Sequence, residues 1–149
     1  MNKALMMIAL IAAPAPVSAA ARADDGPAIL TVKVDHISSK RGNLRLALYD
    51  AKSFADDNAP PIVDKVVPAV PYSVTVTFDP VPPGTYAVKM FQDYNRNEKF
   101  DFDWLGLPDE RYGFSRNARP NWMRMSGPDF KDAAIELKPG ENWTEIWLH

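Results

Sequence analysis

No cysteine occurs in this chain of 149 residues, and only two histidines do, His36 and His149. The first absence excludes disulfides, a lipidated cysteine anchor and thiol chemistry. Together the two disfavour a transition-metal centre, which draws on thiolate and imidazole ligands. They also leave no Ser-His or Cys-His nucleophilic arrangement, since neither histidine has a base or nucleophile partner in its vicinity. A long apolar run is missing as well. Ala4 to Val17 is an uncharged stretch of 14 residues interrupted by Pro14 and Pro16, too short for a bilayer span of about 20 residues. Basic charge is also scarce, at −2 net for the whole chain, which argues against a nucleic-acid partner.

The apolar run follows Lys3 and ends near small residues, the pattern of a secretory signal peptide. Ala-Arg-Ala (Ala21 to Ala23) and Val-Ser-Ala (Val17 to Ala19) both offer small residues at −3 and −1. The first is preferred, because Asp24 then opens a polar mature chain; an uncleaved N-terminal anchor is the alternative. The expected organisation is a signal peptide over 1–23 and one domain over 24–149, exported to the periplasm or secreted. That domain has 126 residues and carries 15 basic against 19 acidic side chains, or −4. With no disulfide, its stability has to come from a hydrophobic core, which a chain of this length can bury.

Apolar residues recur with a period of two. Leu30, Val32 and Val34 alternate with polar neighbours, as do Leu44, Leu46 and Leu48 in the next segment, which the spacing pairs with the first as a hairpin. Tyr72, Val74, Val76 and Phe78 share one face, followed by Tyr86, Val88 and Met90. Residues 51–54 suit a short helical turn, and VDKVVPAVP suits one short edge strand interrupted by Pro68. AAIEL (133–137) and WTEIWL (143–148) are the last strands, with Pro139, Gly140 and Glu141 turning the chain between them. No helical period lasts more than about one turn. The pattern predicts an all-β protein, an antiparallel β-sandwich of immunoglobulin or transthyretin type, with about seven strands and one long loop over 93–128. A small up-and-down or OB-like barrel is the alternative. The inner faces are expected to include Leu30, Val32, Leu44, Leu46, Val74, Val76, Val88 and Leu137.

The long loop opens with DYNRNEKFDFDW (93–104). Calcium takes six to eight oxygens, and a tight loop turns its first, third and fifth side chains inward. Asp93, Asn95 and Asn97 hold those positions. Lys99 would offer its carbonyl at the seventh, Asp101 fills the ninth, and Phe100 would pack beneath. An EF-hand has glycine at the sixth position and glutamate at the twelfth; here these are Glu98 and Trp104. Asp103, Asp109 or Glu110 would have to complete the shell. Two readings stand: a Ca²⁺ site, or an Asx-rich turn whose side chains cap backbone amides. Magnesium fits less well, as nothing suggests a phosphate substrate.

These residues belong to a wider resemblance. PPGTYAVKMFQDYNRNEKFD, GLPDERYGFSRNA and GPDFKDAAIEL resemble the signature of a bacterial family known as domain of unknown function 2141. Its pattern runs Asp-x-Asn-x-Asn-Gly-Lys-x-Asp, Gly-x-Pro-x-Glu, Tyr-Gly-Phe-Ser-Asn and Gly-Pro-x-Phe-x-x-Ala. Asp93, Asn95, Asn97, Lys99, Asp101, Gly106, Pro108, Glu110, Gly113, Phe114, Ser115, Gly127, Pro128, Phe130 and Ala133 match it. The chain departs at Glu98, where the family has glycine, and at Arg116, which displaces the asparagine to Asn117. The resemblance implies a secreted or periplasmic β-protein and assigns no activity.

In the second half of the loop, Tyr112, Phe114, Trp122 and Phe130 alternate with Arg111, Arg116, Arg119 and Arg124. One reading folds the aromatics onto an open edge, with the arginines snorkelling or pairing with the Asp-rich part. The other makes Arg111, Tyr112, Phe114, Arg116, Arg119 and Trp122 the rim of a groove for an anionic glycan or a peptide carboxylate. The functional expectation is a binding or adhesion module with an extracytoplasmic protein or glycan as partner, calcium-stabilised through 93–110. A metal-free structural or interaction module is the alternative. A small carbohydrate-active hydrolase using Asp101 with Asp103, or Asp109 with Glu110, is a distant third. Asn142-Trp143-Thr144 matches a glycosylation triplet but lies on a strand and carries no weight.

Overall fold

A computed structural model describes residues 26–56, 58–121, 123–124 and 126–149; the expected signal peptide lies outside the described residues. Among the described residues there are eight strands: β1 (Ala28–Ile37), β2 (Asn43–Tyr49), β3 (Val63–Pro68), β4 (Tyr72–Val81), β5 (Gly84–Asp93), β6 (Tyr112–Phe114), β7 (Ile135–Leu137) and β8 (Gly140–Trp147). Two short helices, α1 (Ala51–Phe54) and α2 (Phe130–Ala133), and a 3-10 turn at Ser115–Asn117 complete the elements. The strands form a sandwich of two sheets. One has the order β4-β1-β8; the other has the order β3-β2-β5-β6, with β7 also paired to β5. All pairs are antiparallel except β1 with β8, which run parallel. No described helix is long and apolar enough to cross a membrane.

The alternating residues meet between the sheets. Leu30, Val32 and Val34 of β1, Leu44, Leu46 and Leu48 of β2, Val76 and Phe78 of β4, Val88 of β5, Leu137 of β7 and Ile146 of β8 are all buried in one cluster. Val74 is half-buried against it. Two expectations need correction. First, β1 and β2 are not a hairpin; they lie in different sheets. Their apolar faces point at each other across the core, an arrangement with the same period of two as a hairpin. The crossover is held by the buried Gln92 of β5, whose Oε1 accepts from the Ser38 amide at 2.9 Å and whose Nε2 donates to the Lys40 carbonyl at 2.7 Å. Gly42, at φ 120°, packs directly against the Asp93 carbonyl, where a Cβ would collide. Second, Tyr72 does not share the inner face of β4. Its φ is 79° and it is 86% exposed, beside a bulge at His36 (φ 61°) where the β1–β4 register shifts.

The strand count is one higher than expected because β6 lies inside the long loop. Three residues carry too little period to be read from sequence. A smaller apolar cluster of Phe54, Ala87, Ala118 and Ala133 gathers α1, α2 and the 3-10 turn onto β5. The buried Ser115 joins them: its Oγ accepts from the Val88 amide at 2.9 Å and donates to the Ala133 carbonyl at 2.5 Å. Gly113 lies so close to β8 that a Cβ would sit 2.6 Å from Ile146 Cγ2 and 3.0 Å from the Trp147 carbonyl. Gly113→Ala should therefore lower the urea unfolding free energy by about 1–3 kcal/mol, the usual cost of overpacking. Phe78→Ala should cost about 3–5 kcal/mol through the cavity it leaves. Equal stability of the wild type and Gly113→Ala would show that the sheets do not approach this closely.

Candidate functional site

The Asp-rich loop starts where β5 ends. Asp93 is fully buried. Its Oδ2 pairs with Arg45 Nε of β2 at 3.0 Å and accepts from the Glu98 amide at 3.0 Å, while Oδ1 accepts from the Asn97 amide at 3.1 Å. The carboxylate thus wraps the next five residues around itself, and Arg96 and Glu98 take positive φ values of 61° and 70° to allow it. Glu98 also gives Oε1 to Arg45 Nη2 at 2.8 Å. Asn95 Oδ1 accepts from the Asn97 amide and Asn97 Oδ1 from the Lys99 amide, at 3.0 and 2.8 Å. The Nδ2 groups of both asparagines converge on Asp101 Oδ2 at 2.8 Å. Beneath them Glu110, 4% exposed, accepts from the amides of Tyr94 and Asp101 at 2.9 and 3.2 Å.

The structure therefore brings Asp93, Asn95, Asn97, Lys99, Asp101 and Glu110 into one hydrogen-bonded loop. It does not bring Asp103 there. Asp103 Oδ1 instead caps its own turn, accepting from the amides of Leu105 and Leu107 at 2.8 and 2.9 Å. That turn holds Trp104, Leu105 and Leu107 out in solvent, with Trp104 91% exposed. Among the described residues, no three His, Cys, Asp or Glu side chains are grouped so as to hold an ion. A cation would have to use the Asn95 and Asn97 carbonyl oxygens beside Asp101, which requires both amides to turn over. Phe100 packs on Phe91, Phe102 and Tyr112 with ring centroids 5.5, 4.9 and 5.7 Å apart.

The two buried carboxylates are tuned in opposite directions. Burial opposes the charge of Asp93, but Arg45 and the amides of Glu98, Asn97 and Arg96 outweigh it and hold the carboxyl below its ordinary range. Burial pushes Glu110 above its ordinary range; its two amide donors oppose this, and the charges of Asp101 and Asp93 add to it.

Among the described residues, the members of the expected arginine–aromatic groove make separate contacts. Tyr112 and Phe114 meet edge to face along the sheet holding β5, with ring centroids 6.0 Å apart. Arg116 reaches the Lys131 and Ala134 carbonyls at 3.5 and 3.4 Å, and Trp122 lies outside the described residues. The arginine that meets the Asp-rich part is Arg45 of β2, which no loop motif announced. Arg111 turns the other way and donates from Nη1 to the His36 carbonyl at 2.5 Å. There it lines a cleft of ≈ 750 Å³ with Asp35, His36, Tyr72, Glu145, Trp147 and His149. Arg119 Nη1 stands 3.4 Å from His149 Nδ1. Burial holds His149 below its ordinary range, and the Arg119 guanidinium adds to this. Sequence reading missed this cleft, although the outward position of Trp147 in WTEIWL follows from the same period of two that placed Ile146 inside. Neither proposed acid pair lines it.

Fold and loop together define a class of β-sandwich with an Asp/Asn loop closing one end. The family model described as "Uncharacterized protein conserved in bacteria (DUF2141)" matches residues 32–145, and the chain belongs to that family. No curated protein and no solved structure matches it. Several signature residues now have physical roles: Asp93 and Glu110 organise the loop, Gly113 admits β8, and Ser115 bridges Val88 to Ala133.

Two tests follow from this geometry. Asp93→Asn should cost about 2 kcal/mol at neutral pH, the scale of a charge-assisted buried hydrogen bond. Asp93 stabilises the fold above its ordinary value of 3.8, and that contribution fades as pH falls through its lower folded value. Glu110 acts oppositely: its penalty is present at neutral pH and is relieved as pH falls toward the ordinary 4.5. Urea midpoints against pH should therefore show an acid loss that is smaller in Asp93→Asn; an unchanged acid loss would remove Asp93 from this role. Separately, Glu98→Gly should be more stable than Glu98→Ala by about 1 kcal/mol, since both lose the Arg45 contact but only glycine relaxes the positive φ.

Proposed function

We propose that this protein is an exported binding or adhesion module whose loop 93–110 is stabilised by calcium. The observation that supports this is the wrap of the loop around Asp93. Its carboxylate accepts from the amides four and five residues on, and Glu98 adopts a left-handed conformation where a calcium loop has glycine. Asn95, Asn97 and Asp101, at the third, fifth and ninth positions, lie together through the two Nδ2 groups, and a cation would take the asparagine oxygens once both amides turn over. A cation there would also offset the mutual repulsion among Asp93, Asp101 and Glu110. Export to the periplasm or beyond rests on the segment 1–23.

A second reading has its own support. The carboxylates of Asp93, Glu98, Asp101, Asp103 and Glu110 already meet hydrogen-bond donors, and no buried side-chain polar atom among the described residues lacks a partner. On that reading the loop is a self-sufficient polar cap and the module needs no ion. Thermal melts separate the two. With about 1 mM calcium against chelator, an ion bound only to the folded state raises the melting temperature by mass action. The rise should be several degrees, should vanish in Asp101→Ala, and should be weak with magnesium, which prefers a smaller octahedral shell. Asp101 is the informative position, because Asp93→Ala would also strand Arg45. No shift at millimolar calcium would refute the ion and leave the polar cap. Intact mass of the exported product tests cleavage after Ala23.

A further inference from the structure

We propose that the outward face of the β4-β1-β8 sheet, with the cleft at its end, binds a neutral glycan chain. This rests on the reading of the protein as a binding module and not on calcium. On β8, Thr144 and Ile146 point into the core, so Trp143 and Trp147 point out; they are 64% and 41% exposed. Four residues of extended strand separate them by about 13 Å, a span of a few sugar rings. A solvated outer face is ordinary for such a sheet; two indoles in line on it are not accounted for by solvation.

The surface between and beside the rings is polar. Lys33 Nζ pairs with Asp35 Oδ2 at 2.7 Å and Glu145 Oε1 at 2.8 Å. β4 contributes exposed Ser73, Thr75 and Thr77 on the neighbouring strand. Apolar rings separated by hydroxyls and an ion triad suit pyranose rings, whose C–H faces pack on aromatic planes while their hydroxyls bond charged and hydroxyl groups. A protein partner would call for a contiguous apolar centre, which this face lacks. Lys33 is met by Asp35 and Glu145, and Glu141 also points outward on β8, so the strip between the two indoles is acidic on balance, with Arg111 the cation of the cleft at its end. This disfavours an anionic chain along the strip and an anionic membrane surface.

The end of the strip is preorganised. His36 lies against Trp147 with ring centroids 5.6 Å apart and fixes the indole. The Trp147 amide is held by Asn117 Oδ1 at 2.7 Å. The bulge at His36 and the positive φ of Tyr72 carry the Tyr72 ring out of the core to the rim of the cleft. Bulges that re-aim side chains, and non-glycine residues held at positive φ, gather where a surface is used.

Affinity electrophoresis of the exported chain tests this, with hydroxyethylcellulose, xylan and mannan as neutral probes and polygalacturonate as the anionic one. At least one neutral polymer should retard the protein. Trp143→Ala and Trp147→Ala should each weaken that retardation about tenfold or more, with urea midpoints near the wild type. Trp104→Ala, at an exposed indole on the turn capped by Asp103 and outside the cleft lining, should leave it unchanged. Failure of every neutral polymer, retardation by polygalacturonate only, or retardation indifferent to Trp143 and Trp147 would each overturn the glycan platform. Glycan binding that persists when calcium gives no thermal shift would sink the ion reading and leave this one standing. A calcium shift without glycan binding would do the reverse.

Discussion

Everything at the loop end of the sandwich depends on one buried carboxylate. Asp93 ends β5, and its charge is admitted to the interior because Arg45 reaches it from the adjacent strand and two amides donate to it. An isolated buried charge would cost several kcal/mol, and the ion pair and amide hydrogen bonds offset that desolvation. By drawing in the amides of Asn97 and Glu98, Asp93 turns the chain out of the sheet and back. Phe100 then lands on Phe91 and Tyr112, and β6 returns to pair with β5. From β6 the chain contacts β8, where the amide of His149 donates to the carbonyl of Tyr112 at 3.0 Å and Gly113 passes under Ile146. The join between the two sheets at this end is thus downstream of the Arg45–Asp93 contact.

Glu98 shows how that arrangement tolerates a local mismatch. A left-handed glutamate costs about 1–2 kcal/mol relative to a residue at ease there. The contact to Arg45 offsets only part of this, since Glu98 is 74% exposed and such pairs are worth little in water. The remainder is carried by the two amides on Asp93, which leave the backbone no other course. The strain is a consequence of the wrap, and the wrap is a consequence of Asp93.

The strands were legible in the sequence because burial on one face imposes a period of two, and nearly every residue expected on the inner faces is buried. Sheet membership was not legible. β1 and β2 carry the same alternation whether they pair side by side or face each other, and only Gln92 and Gly42, far apart in the chain, decide between these. Tyr72 broke its own pattern because a bulge on a different strand shifted the register. Within the loop, the Asp/Asn spacing correctly marked a group of residues that meet, but it included Asp103, whose side chain is captured by amides two and four residues on. Arg45 was invisible as a partner because one outward arginine on a strand looks like any solvated charge. The cleft was invisible for a similar reason: its residues come from β1, β4, β8 and the approach to β6, and no short motif spans them.

The Asp-rich loop and the cleft are coupled by two consecutive residues. In extended chain, neighbouring side chains point to opposite sides. Glu110 therefore goes under the loop, where it holds the amides of Tyr94 and Asp101, and Arg111 goes to the cleft, where it holds the His36 carbonyl. The Arg111 carbonyl in turn accepts from the Gln92 amide at 2.8 Å, and the Gln92 side chain fixes the crossover that follows His36. A loop held firmly around Asp93 and Glu110 thus holds Arg111, and through it the strained bulge that presents Tyr72 and supports Trp147. The order of the loop sets the shape of the cleft, whether amides alone or a cation as well keep that loop in place.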